Sequence, residues 1–128
     1  MSDYAIVNLQ QIDDSVDGRV EGLQGRFGRT ALGSSDIGVS HWRYAPGVRN
    51  AAHSHREQEE AYVVVAGSGR VRLDDEVREI RQWDAIRVAP SVVRSFESGP
   101  DGLELIAVGG PKPEGGDGVA SDAPWPDA

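Results

Sequence analysis

The sequence contains no cysteine, which removes disulfide frameworks, thiolate metal sites and thiol nucleophiles together. It also lacks any run of 18 apolar residues, and Met1–Gln11 has no basic stretch followed by an apolar one. Neither a membrane span nor a secretory leader is expected, and the expected location is cytoplasmic. Positive charge is scarce: 13 basic residues face 21 acidic ones, a formal net charge of −8. That balance argues against nucleic acid or an anionic membrane as a partner. Helical periodicity is missing too, since no stretch of 11 or more residues places apolar positions at helical spacing. Two catalytic signatures are absent. The Gly67-Ser68-Gly69 segment leads into a strand pattern and so is not a phosphate-cradling loop, and no serine nucleophile elbow is present.

What remains is a 128-residue chain of single-domain length, with 16 glycines and 7 prolines as turn formers. Strand composition marks Tyr4–Leu9, Gly25–Leu32, Ile37–Ala45 and Ala61–Ala66. Val71 and Leu73 alternate with Arg70 and Arg72, Val77–Ile80 returns after an acidic turn, and Ala85–Val88, Val92–Glu97 and Leu103–Val108 follow. Short strands with regular turn signals predict an all-β sandwich or barrel. The body is expected over residues 1–110, with the N-terminal segment as an added strand. Residues 111–128, rich in Gly, Pro and Asp, read as an extended or disordered arm in which Trp125 is the one docking group.

Ionisable side chains are densest at His53-Ser54-His55-Arg56-Glu57-Gln58-Glu59-Glu60. On a strand, residues two apart share a face, about 6.5–7 Å between Cα atoms. Two imidazoles so placed can converge on one divalent ion. A carboxylate must then come from a strand running back beside them, and Glu59 or Glu60 opens that strand. Both faces of Ala61–Ala66 are apolar, so alternation does not choose between the two carboxylates. The plain alternative is an exposed charged hairpin. The third histidine, His41, has no partner of metal-ligand spacing, and Asp74-Asp75-Glu76 reads as a solvated turn rather than a cation loop.

Gly47, His53-x-His55, Glu60 and Gly67, at these spacings, resemble the first signature motif of the cupin superfamily. Trp83–Glu97 (WDAIRVAPSVVRSFE) resembles the second, so the likeness spans roughly residues 36–109. More narrowly, the chain resembles small stand-alone cupins of unassigned activity. The resemblance implies a double-stranded β-helix, a jelly-roll-like barrel with a metal inside. It implies His53, His55 and Glu60 as ligands of a divalent ion such as Mn, Fe, Ni or Zn, and a homodimer. The activities it implies are those of an oxygenase, isomerase or lyase acting on a small molecule. Two positions depart from the family pattern: Ser91 stands for the usual glycine, and Arg94 for the fourth ligand, a histidine. A guanidinium has no lone pair to give a metal. Three ligands then remain, in type the facial triad that leaves coordination positions open.

Arg94 should share a face with Val92 and Phe96. If inward, it either pairs with Glu60 in a metal-free, non-catalytic binding module or anchors an anionic ligand, a carboxylate, beside the metal. Tyr62 and Phe96 are the expected walls of the ligand cavity. Tyr62, Val64, Ile86, Val88 and Phe96 should be buried.

Overall fold

A computed structural model of the protein describes residues 3–126. The strands are β1 (Leu23–Phe27), β2 (Gly38–Tyr44), β3 (His53–His55), β4 (Glu60–Leu73), β5 (Glu76–Arg81), β6 (Ala85–Val88), β7 (Arg94–Gly109) and β8 (Gly118–Ala120). Helix is confined to one turn, α1 (Arg29–Leu32), and a 3-10 turn at Leu9–Gln11. All pairings are antiparallel, in the order β1-β2-β7-β3-β8, while β4 lies along β7 and also takes β5 and β6. The sheet curls on itself into the expected jelly-roll barrel.

Two long bent strands make the curl possible. Gly67-Ser68-Gly69 and Gly99-Pro100-Asp101-Gly102 read as turns, yet β4 and β7 run through them and stay paired from Glu60↔Gly109 to Leu73↔Arg94. Register shifts at Val64/Ala66 and Gly67/Gly69 absorb the corner. At Gly67, φ is +74° and a Cβ would sit 2.0 Å from the Gly102 carbonyl oxygen. Only glycine lets the two backbones pass that closely.

The interior is filled from β2, β4, β6 and β7. Tyr44, Tyr62, Val64, Val71, Val88, Phe96, Leu103 and Leu105 are buried. Ile86 is only partly buried and packs against this cluster from its edge. Each fully buried side chain of the size of Phe96 contributes roughly 1.5–3 kcal/mol relative to exposure. Val63 and Val65, pointing the other way on β4, are half-buried.

Two expectations fail at the N-terminal side. Tyr4–Leu9 forms no strand: it runs over the surface, with Tyr4 81% and Ile6 93% exposed. Strand composition alone did not bring it into the sheet. Of Gly25–Leu32, only the part up to Phe27 is strand. Arg29–Leu32 coils into α1, which ends on Gly33 in the left-handed conformation. The arm, by contrast, is docked. Gly118–Ala120 adds to the sheet as β8, and Trp125 is buried beneath the guanidinium groups of Arg49 and Arg70, 4.3 and 5.4 Å from its ring.

Candidate metal centre

The strand β3 presents His53 and His55 on one face, with ring centroids 5.0 Å apart. The loop 56–59 reverses the chain and delivers Glu60 at the first position of β4. One ligand atom from each of His53, His55 and Glu60 lies within 4.8 Å of the others. Glu60 Oε1 is 3.2 Å from His55 Nε2 and 3.9 Å from His53 Nε2. Glu59 points outward instead and pairs with Arg87 at 2.9 Å on the exposed surface. Glu60 shares its β4 face with the buried Tyr62 and Val64, so once the reversal has set where β4 begins, alternation carries Glu60 inward.

Electrostatics at the cluster suit a cation. Burial acts to raise the Glu60 carboxyl, but His55, the Tyr62 hydroxyl and the Arg94 guanidinium outweigh it and hold the group below its usual range. The Tyr62 hydroxyl donates to Glu60 Oε1 at 2.5 Å. Burial, with the neighbouring Glu60 charge, pushes that hydroxyl upward, so Tyr62 stays a neutral donor. Burial lowers His53, Glu60 opposes this, and His55 and Arg94 reinforce it. Neutral imidazole is the form that ligates. Both ring nitrogens of His55 are buried and lack a hydrogen-bond partner. An orphaned imidazole nitrogen beside a second imidazole and an ionised carboxylate is the donor set a divalent ion requires.

Arg94 is wholly buried, on the β7 position paired with His53. Its Nη2 lies 3.8 Å from Glu60 Oε1, and its guanidinium donates to the carbonyls of Pro90 (3.3 Å) and Ala89 (3.4 Å). The cavity beside the cluster, about 460 Å³, is walled by Trp42, Tyr62 and Phe96, with His53, His55 and Glu60 on its lining. Arg29 and Lys112 supply the basic side chains of that lining, and Arg94 is not part of it. The Arg94 fork is turned to the main-chain oxygens that follow β6. Its expected grip on a ligand carboxylate therefore gives way to a place behind the cluster.

His41 stands apart from the centre. Its Nε2 faces Glu104 at 2.9 Å and its Nδ1 faces the Gln10 amide at 2.8 Å, tying the first 3-10 turn to β2 and β7. Asp74 closes the β4–β5 turn and accepts from the Val93 amide at 2.9 Å.

Sequence reasoning missed one residue of the centre, Asp117. It lies in the arm, is 4% exposed, and places Oδ2 3.5 Å from His55 Nδ1. Burial acts to raise its carboxyl, but the amides of Glu57, Gln58 and Arg56 outweigh that and hold it below its usual range. A single Asp among glycines in a tail of turn formers carries no signal that could have singled it out.

Comparison with known proteins agrees with this architecture. No curated protein matches the sequence significantly. Among solved structures, a cupin protein from Bacteroides fragilis is 21% identical with a TM-score of 0.71, covering 89% of this chain and 89% of its own. A sugar phosphate isomerase of the cupin superfamily from Silicibacter pomeroyi is 20% identical with a TM-score of 0.74, covering 93% and 83%. An oxalate decarboxylase variant from Bacillus subtilis is 18% identical with a TM-score of 0.76. It covers 91% of this chain, which spans only 33% of that one. At such identities the likeness is one of fold. The family described as a cupin domain matches residues 40–109, more than half the sequence, from within β2 to the end of β7. With the paired histidines, the following glutamate and the curled barrel all in place, this chain belongs to the cupin domain family.

Proposed function

We propose that this protein is a metal-dependent cupin in which His53, His55 and Glu60 hold a divalent ion and the adjoining cavity takes a small anionic molecule. The observation that carries this reading is the buried, unpartnered Nε2 of His55 beside His53 and Glu60. A divalent ion bound there would supply Lewis acidity and a contact for an anionic oxygen, with Mn, Fe, Ni and Zn all compatible with imidazole and carboxylate donors. The chain's own residues do the rest. Tyr62 fixes the rotamer of Glu60 through its hydroxyl, and its ring, 4.8 Å from that of Phe96, walls the cavity. Arg29 and Lys112 offer positive charge to an anion from the same cavity. Oxalate and a sugar phosphate, the molecules in the names of two neighbours of like fold, are also small anions.

A second reading, a metal-free binding module, is favoured by the 3.8 Å approach of Arg94 to Glu60. Isothermal titration of untagged protein with Mn²⁺, Fe²⁺, Ni²⁺ and Zn²⁺ decides between them. Metal-dependent binding predicts one site per chain, weakened on the order of 100-fold by His55→Ala or Glu60→Gln. If the wild type binds no ion and Arg94→Met gains binding, the metal-free pair is the correct reading. Pairing of two chains over the outer face of β4, where Val63 and Val65 are half-buried, completes the proposal as a homodimer.

A further inference from the structure

The two metal-ligand histidines sit on a strand held between the barrel and the arm. Within its three residues, β3 pairs with β7 at a single position, His53↔Arg94. On its other side it pairs with β8 along its whole length: His53↔Ala120, Ser54↔Val119 and His55↔Gly118. The ladder continues past the strand, where the Ser121 amide donates to the Ala52 carbonyl at 3.0 Å. The arm is fastened at its root as well. Arg29 Nη2 and Gln58 Nε2 both donate to the Gly110 carbonyl, at 2.6 and 3.0 Å. On the barrel side the His55 amide also donates to the Pro90 carbonyl at 2.8 Å, and the arm supplies the longer ladder along β3.

Asp117, next to β8, acts on the same place. Its Oδ1 accepts from the amides of Arg56 and Glu57, both at 3.1 Å. Its Oδ2 accepts from Glu57 at 3.0 Å and Gln58 at 2.7 Å. Those three amides belong to the loop between His55 and Glu60, so one side chain of the arm fixes the span between two ligands. The same Oδ2 faces His55 Nδ1 at 3.5 Å, close by but short of a hydrogen bond as the side chains stand. An imidazole that gives Nε2 to a metal keeps its proton on Nδ1, and that proton needs an acceptor. Asp117 also alters the charge balance. A divalent ion near the buried Arg94 is repelled by it, and the carboxylates of Glu60 and Asp117 together offset both.

We propose that Asp117 is a positioning residue for the metal ligand His55, so that docking of the C-terminal arm and binding of the divalent ion are linked. The proposal rests on the metal reading above. Linkage is reciprocal: whatever the arm adds to metal affinity, the metal adds to the docking of the arm.

The test combines Zn²⁺ and Mn²⁺ titration calorimetry with hydrogen exchange of amides 56–58 and 118–121, on the full wild-type chain and on Asp117→Asn. Asparagine keeps the shape and an acceptor oxygen but removes the charge. The expected result is a 10–100-fold loss of metal affinity in Asp117→Asn. In the wild type, metal should slow exchange at 118–121 at least severalfold, and in the variant it should not. The wild-type exchange experiment needs no variant to fold. If the wild type binds metal but arm exchange is unchanged, or if folded Asp117→Asn binds as tightly as wild type, the linkage is wrong while the metal site stands. A carboxylate that only braced the loop would lower stability and leave the affinity of the folded variant intact. If the wild type binds neither ion, the metal reading falls and the linkage with it.

Discussion

The two segments outside the barrel, residues 3–8 and 111–126, behave in opposite ways to their composition. The first carries Tyr, Ile and Val, good strand formers, yet lies exposed with no place in the sheet. The second is built of Gly, Pro and Asp, yet enters the sheet as β8, supplies a buried carboxylate and ends on a buried Trp. Intrinsic strand preference is worth little without an edge to pair with and a face to cover. The arm finds both: β3 offers a free edge, and Arg49 and Arg70 offer a cationic face over which Trp125 stacks. Arg72 adds a hydrogen bond at 2.8 Å to the Ala123 carbonyl. Partners, not propensity, separate the two segments.

The contrast can be tested by substitution. The largest effect is expected from Trp125→Ala, which removes a buried aromatic and both cation–π contacts. It should cost about 2–3 kcal/mol in urea unfolding. A cost below about 0.5 kcal/mol would place the arm with the N-terminal segment as a passive extension.

Acid should next weaken both the arm and the candidate metal centre. His53, ordinarily near 6.5, is lowered first by burial, and Glu60 and Asp117 sit below their ordinary 4.5 and 3.8 because nearby donors outweigh burial. In each case the unfolded chain takes up a proton at higher pH than the folded one. The stability these groups contribute is therefore complete above the ordinary value and is lost as pH falls below it. For metal-free protein, the urea midpoint should be flat above about pH 7, decline below 6.5 and fall steeply below 4.5. The Asp117→Asn variant should lose part of the steep limb, and an unchanged acid profile in that variant would remove Asp117 as a contributor.

The smallest effect is expected from removing residues 1–7. The exposed side chains of residues 3–6 predict a change within about 0.5 kcal/mol and, by light scattering, the same mass as the full chain. A larger loss, or a change in mass, would show that this segment is packed against a partner after all.

Much of the candidate metal centre was legible because its parts are local. His53 and His55 share a strand face through the two-residue repeat, and Glu60 follows after one reversal. What could not be read was which carboxylate turned inward, since Glu59 and Glu60 precede a strand that is apolar on both faces. The reversal after His55 sets that parity: Glu60 falls on the inner face with Tyr62 and Val64, and Glu59 is left outside, paired with Arg87 of the adjacent strand β6. Arg94 shares a face with Phe96, as the two-residue repeat requires, and both are buried. Its fork, however, turned to the carbonyls of Ala89 and Pro90, a choice set by how the chain enters β7 from β6.

The sequence by itself determined the strand-rich class, the absence of thiol chemistry, the core residues Tyr62, Val64, Val88 and Phe96, and the pairing of histidines with a following glutamate. These follow from periodicity, composition and short spacings, which act between near neighbours. Only the tertiary structure decided that β4 and β7 run unbroken through their glycines, because that depends on two distant backbones passing within 2.0 Å of where a Cβ would stand. Only it brought Asp117 to His55, because a carboxylate in a glycine-rich tail has no local preference for either the loop or the imidazole. Its place is set by the three amides that close around it when β8 adds to β3.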